Sequence, residues 1–182
     1  MYLYMRILFI HPTDPSTAFG SIIYQHYLQQ DNVTLITGNH ILRKDIREAL
    51  QSHDRIVFIG HGTELGFGDM KSCRYLITSA DLQILRNKEV ICFWCNANIF
   101  AEKYDLNAFA TGMFVSEIQE AKTYNLPEDQ SLIDYSNTLM CNILSRCIFD
   151  PIGEIKNTVY KEYAYETNPI IHFNRECMGF EN

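Results

Sequence analysis

RIVFIGHGTELGFG, residues 55–68, starts as a strand and finishes as a turn. Arg55 to Ile59 is an apolar run of strand length, and Gly60-His61-Gly62, with Gly66 and Gly68 behind it, breaks that run into a loop. A histidine therefore stands where the strand ends. A second apolar run, Val90-Ile91-Cys92-Phe93-Trp94, ends on Cys95-Asn96, and its cysteine lies 34 positions beyond the histidine (95 − 61). If both runs are strands of one sheet, an imidazole and a thiol are delivered from equivalent strand ends.

The flanking sequence supplies the rest of that sheet. Arg6 to Ile10 is a short strand closed by His11-Pro12-Thr13-Asp14-Pro15, since proline disfavours continuation. Ser16 reads as the N-cap of a helix to about Gln30, Val33 to Ile36 as the second strand, and His40 to Gln51 as an amphipathic helix. After the glycine loop, Tyr75 to Ile77 reads as a short outlying strand, and Thr78 or Ser79 caps a helix to about Asn87. Ala97 to Tyr104 is a helix, Gly112 to Ser116 a fifth strand, and Glu117 to Tyr124 a helix. Gln130 to Cys147 and Ile155 to Tyr165 are further helices. Pro169 to Phe173, with its Ile-Ile-His-Phe run, reads as a sixth, edge strand.

Strand and helix alternate, which calls for a single α/β domain over residues 1–182: a mainly parallel six-stranded sheet with helices on both faces, a three-layer sandwich. In such sheets chemistry gathers beyond the carboxyl ends of the strands, where His11, His61, Cys95 and Ser116-Glu117 all fall. An exposed strand at 169–173 would also invite pairing with a second copy, a homodimer.

Composition narrows the partners. The 182 residues are 47% hydrophobic and carry a formal charge of −7 with no basic run, so there is no electrostatic footprint for nucleic acid. The N-terminal MYLYMRILFI is too short to span a bilayer and carries Arg6, which argues against a membrane segment or a cleaved signal. Six scattered cysteines without a signal peptide read as reduced thiols of a cytoplasmic protein. Cys92-x-x-Cys95 suggests a redox pair, but period two places the two on opposite faces of a strand. No second CxxC completes a zinc site, and Gly60-x-Gly62-x-x-Leu65 lacks the third small residue of a dinucleotide fingerprint, so neither metal nor organic cofactor is expected.

The chemistry left is nucleophilic. A cysteine attacks as thiolate and is activated by a neighbouring base or a helix N-terminus, and the helix after Cys95 offers the latter. On that reasoning Cys95 is expected to be the most reactive thiol, ionised at neutral pH and first to be alkylated, with Cys92 directed into packing. His61 would protonate the leaving amine, and the amides of Cys95 and Gly62 would face a developing oxyanion, glycine permitting close approach of a carbonyl. The bland alternative is a buried cysteine and a turn histidine in a module that binds a protein or small ligand at the same strand ends.

An apolar strand ending in His-Gly at Ile56 to Gly62, then a later one ending in Cys at Val90 to Asn96, in an alternating α/β chain, resembles the caspase-like (clan CD) cysteine peptidases. Phe93-Trp94-Cys95-Asn96-Ala97 departs from the caspase Q-A-C-x-G signature, and the 34-residue spacing (95 − 61) is shorter than the caspase interval of about 50. The likeness is therefore to clostripain, gingipain or compact bacterial relatives. It implies a caspase-like fold, a His61/Cys95 dyad with Gly62 as an oxyanion amide, and a polypeptide substrate. In relatives that cut after lysine or arginine the first pocket is acidic, which implies Asp14 and Glu117, each behind a strand end, as substrate-binding carboxylates.

Overall fold

The computed structural model describes residues 5–69, 73–164 and 167–179. In chain order the strands are β1 (Ile7–Pro12), β2 (Val33–Gly38), β3 (Arg55–Ile59), β4 (His61–Thr63), β5 (Gly66–Asp69), β6 (Arg74–Thr78), β7 (Glu89–Phe93) and β8 (Ala108–Ala110). The α-helices are α1 (Arg43–Ser52), α2 (Leu82–Leu85), α3 (Ala97–Lys103), α4 (Ile118–Thr123), α5 (Gln130–Cys147), α6 (Ile152–Ala164) and α7 (Pro169–Cys177), and a 3-10 helix spans Pro15–Ile23.

Five strands form one parallel sheet in the order β2-β1-β3-β7-β8. The protein is thus α/β, with its first strand inside the sheet and the winding direction reversing between β1 and β3, the switch point beside which ligands bind in open α/β sheets. Every residue of β1 and β3 is buried, as both faces are covered. Ile7, Phe9, Val57, Ile59, Ile91 and Phe93 join one apolar cluster with residues of α5 and α6. Leu8, Ile10, Ile56, Phe58, Val90 and Cys92, the alternate positions, join another with residues of α1 and α3.

Three expectations about the sheet are corrected. Pro169–Cys177 is a helix, not an edge strand: Asn168 accepts from the amides of Ile170 and Ile171 at 2.8 and 3.4 Å, and Pro169 occupies the first turn. The pairing with a second copy expected of that edge loses its strand. Gly112 to Ser116 is not a strand either, and the fifth strand is Ala108–Ala110, whose alanines gave no β signal. The glycine loop is ordered as a separate antiparallel sheet, β4-β5-β6, with Glu64-Leu65 as a two-residue turn.

Smaller differences follow from capping. The segment after β1 is a 3-10 helix capped by Asp14, whose side chain accepts from the Ser16 amide at 2.9 Å, with Pro15 rather than Ser16 opening the turn. Thr78 caps the segment after β6 through a reciprocal box with Asp81. The expected end of the sixth helix at Tyr165 and the first four residues of the N-terminal run lie outside the described residues. No helix among the described residues is long and apolar enough to cross a membrane.

Candidate active site

β3 and β7 are direct neighbours, and their last paired residues are Ile59 and Phe93. His61 and Cys95 each lie two positions beyond that pair, and the Gly60 amide donates to the Phe93 carbonyl at 3.1 Å to hold the two ends together. Equal offset on adjacent parallel strands brings His61 and Cys95 to the same end of the sheet, and both line one cleft with Phe19, Phe114, Ser116 and Glu120.

His61 belongs to a relay that links the end of β1 to the end of β3. Ser16 Oγ lies 2.7 Å from Asp14 Oδ1 and 2.9 Å from His61 Nε2. The Asp14 carboxyl is held below its ordinary range, chiefly by the Ser16 hydroxyl, so it accepts only. The single hydroxyl proton therefore goes to Asp14, and His61 Nε2–H donates to Ser16. That turns Nε2 to Ser16 and leaves Nδ1 with no partner among the described residues. Ser16 was missed as a site residue because 45 positions separate it from His61 (61 − 16); the signal was Asp14-Pro15-Ser16, an Asp cap followed by proline at a strand end.

Cys95 is set by backbone. Asn96 has φ 62°, in the left-handed region that asparagine tolerates, and turns the chain from β7 into α3. The fully buried Thr111 donates to the carbonyl of Trp94 at 2.7 Å, and Cys95 Sγ makes a long contact of 3.8 Å with the Phe114 carbonyl. The expected ionised thiol is corrected: burial pushes Cys95 up to about 11, with Glu120, Cys177 and Glu117 adding to it against the pull of the Phe114 contact. Whatever the start of α3 supplies is outweighed by burial and nearby carboxylates. Simple alkylation is accordingly expected to reach the exposed Cys73 before Cys95.

Glu120 comes from α4 into the same cleft. It accepts from the Ser116 amide at 2.7 Å and hydroxyl at 3.1 Å, while burial drives its carboxyl above the ordinary range. Because a negative neighbour opposes thiolate formation, Glu120→Gln is expected to lower the Cys95 pKa and speed its alkylation at pH 7 several-fold. A rate–pH profile of alkylation followed by peptide mapping checks this; an unchanged midpoint would remove Glu120 from the thiol's surroundings.

The other site candidates disperse. Gly62 is the centre of β4, and a Cβ there would lie 2.2 Å from Trp94 Cδ1, so packing against the indole demands glycine at this position. Trp94 in turn donates from Nε1 to the Thr63 carbonyl at 3.1 Å, fastening the small sheet beside the cleft. Asp14 serves the histidine and is absent from the groove that Glu117 lines with Ser16, Asp134 and Asn137. His11 is 5% exposed, with Nδ1 against Tyr24 Oη and Nε2 against the Thr17 carbonyl, both at 3.0 Å, and burial lowers its pKa. It is a structural histidine. His172 is on the outer side of α7, 3.4 Å from Glu176.

Among the described residues, no three His, Cys, Asp or Glu side chains converge as a metal site requires. Neither a scan against protein-family models nor a search of curated proteins finds a match to this chain.

Proposed function

We propose that the chain is a cysteine-type hydrolase of peptide bonds, of the caspase-like kind, with His61 and Cys95 as its dyad. The observation that carries this reading is the pair's equal register on adjacent strands, in one cleft, with His61 Nε2 committed to Ser16 and Asp14. In the proposed reaction His61 Nδ1 takes the thiol proton as Cys95 Sγ attacks the scissile carbonyl carbon, whose electron pair moves to oxygen. Collapse expels the amine, which receives that proton from His61, and leaves a thioester on Cys95; water then hydrolyses it with His61 as base. A thiol pushed up to about 11 suits a nucleophile that ionises only as the base removes its proton, with Asp14 stabilising the imidazolium through Ser16.

Specificity for lysine or arginine before the scissile bond is part of this proposal. Phe19 and Ser116 line both the cleft and a groove of about 440 Å3, where Glu117 and Asp134 supply carboxylates. The acidic partner of Glu117 is thus Asp134, in place of Asp14. On a fluorogenic panel arginyl substrates are expected to outrun aspartyl ones, and Glu117→Gln to lower kcat/KM for arginyl substrates about tenfold while sparing the others. Faster turnover of aspartyl or apolar substrates would dismiss the acidic groove.

A catalytically silent binding module is the second reading, and one observation favours it. The cleft that His61 and Cys95 both line has about 20 Å3 of space, room for one water. On the hydrolase reading, Phe19 or Phe114 must move aside when substrate binds.

A further inference from the structure

The wall of the cleft that carries Phe114 and Ser116 belongs to neither a helix nor a strand. Yet Val115, at its centre, is fully buried, so its peptide groups need partners within the protein. One side chain provides both. Asn174 Oδ1 accepts from the Val115 amide at 2.7 Å, and Asn174 Nδ2 donates to the Val115 carbonyl at 3.3 Å. This is the two-way exchange that a neighbouring strand would make, performed by a carboxamide on α7.

The carboxamide is itself held. Asn174 is completely buried, and its Nδ2 also reaches Ser136 Oγ at 3.2 Å and Tyr163 Oη at 3.5 Å, on α5 and α6. Ser136 and Tyr163 are fully buried too and meet at 2.8 Å. Three helices therefore converge on one amide, whose outlet is the backbone of Val115. On either side of it sit the groups that touch the thiol's surroundings: the Phe114 carbonyl, in contact with Cys95 Sγ, and Ser116, which holds Glu120.

We propose that Asn174 is the positioning residue of the Cys95 cleft, its carboxamide standing in for a neighbouring strand and fixing the wall from Phe114 to Ser116 against the thiol. It touches no reacting group and acts through Val115. Gly112 shows how close the two segments run, since a Cβ there would lie 1.8 Å from the Cys177 carbonyl at the end of α7. The effect on turnover rests on Cys95 being the nucleophile; the effect on the wall and on thiol exposure does not.

The test uses the full chain and amide hydrogen exchange. In the wild type the Val115 amide is expected to be protected like those of β3, although it belongs to no regular element. Asn174→Ala is compared with Ser136→Ala, which disturbs the same buried network and leaves the Val115 bonds in place. Loss of those bonds is expected to speed Val115 exchange about tenfold beyond the Ser136 variant. Iodoacetamide labelling of Cys95 is expected to rise by about the same factor, as the wall opens. Equal exchange and labelling in the two variants would overturn the proposal. Should Asn174→Ala fail to fold, a wild-type Val115 amide exchanging as fast as exposed loop amides would overturn it alone. An inert wild-type protein would dismiss the hydrolase and leave this comparison intact.

Discussion

Cys95→Ala is expected to abolish hydrolysis, and His61→Ala to lower kcat by about a hundredfold or more, the scale of losing a positioned acid–base group. The two losses should differ in kind. Without the thiol no acyl-enzyme forms, whereas without the imidazole the thiol survives but keeps its proton, because burial holds it up to about 11. Raising pH should therefore recover activity in His61→Ala as the thiolate forms unaided, and should recover none in Cys95→Ala. Ser16→Ala lies between them, since the imidazole keeps Nδ1 but loses the hydroxyl that links Nε2 to Asp14. Steady-state kinetics across pH on a peptide panel checks all three. Equal activity of His61→Ala and wild type at neutral pH would remove the histidine from the reaction.

The largest expected effect on stability lies at the other end of the sheet. Arg55 opens β3 fully buried, paired across the ladder with Glu89 of β7 and donating also to the Ile148 carbonyl. Glu89→Ala removes the only carboxylate facing that guanidinium among the described residues and leaves a buried charge without its counter-ion. A loss of about 3–5 kcal/mol is expected on urea unfolding. Arg55→Met removes the charge along with its need for a partner and should cost distinctly less. Since the pair sits at the amino ends of the strands, far along β3 and β7 from His61 and Cys95, kcat at a temperature where both variants are folded should be unchanged. A Glu89→Ala loss below about 1 kcal/mol would mean that water or backbone satisfies Arg55.

The central strands were legible because their signal is local: β1 and β3 are short apolar runs closed by proline and glycine, and β7 is an apolar run that stops at Cys95-Asn96. That was enough to put His61 and Cys95 at the carboxyl ends of strands, and the neighbouring ladder makes the offset equal. The long helix Gln130–Cys147 was also plain, from its apolar spacing and uninterrupted length. The C-terminal segment misled because Ile170-Ile171 carries β propensity, while the cap that decides the matter, Asn168-Pro169, lies just before it.

The site's electrostatics were not legible for a different reason. A helix start after Cys95 is visible in sequence, but the partial burial of Cys95 and the arrival of Glu120 and Glu117 depend on where α4 packs. Position 120 reads as an ordinary polar residue on a short surface helix. Likewise the resemblance paired Glu117 with Asp14, each behind a strand end, whereas the groove that Glu117 lines is shared with Asp134 of α5. Strand ends are set by local pattern; which helix faces them is set by the whole fold.

The most direct test of the dyad pits two electrophiles against each other. A peptidyl acyloxymethyl ketone with arginine next to the warhead needs His61 to draw the proton from Cys95, whereas iodoacetamide finds whichever thiol is exposed and ionised. Peptide mapping of the wild type is predicted to give a single ketone adduct at Cys95, lost in His61→Ala, while iodoacetamide marks Cys73 ahead of Cys95. A ketone that labels several cysteines slowly, with Cys73 or Cys177 at least as fast as Cys95 and no dependence on His61, would contradict the dyad and leave a binding module.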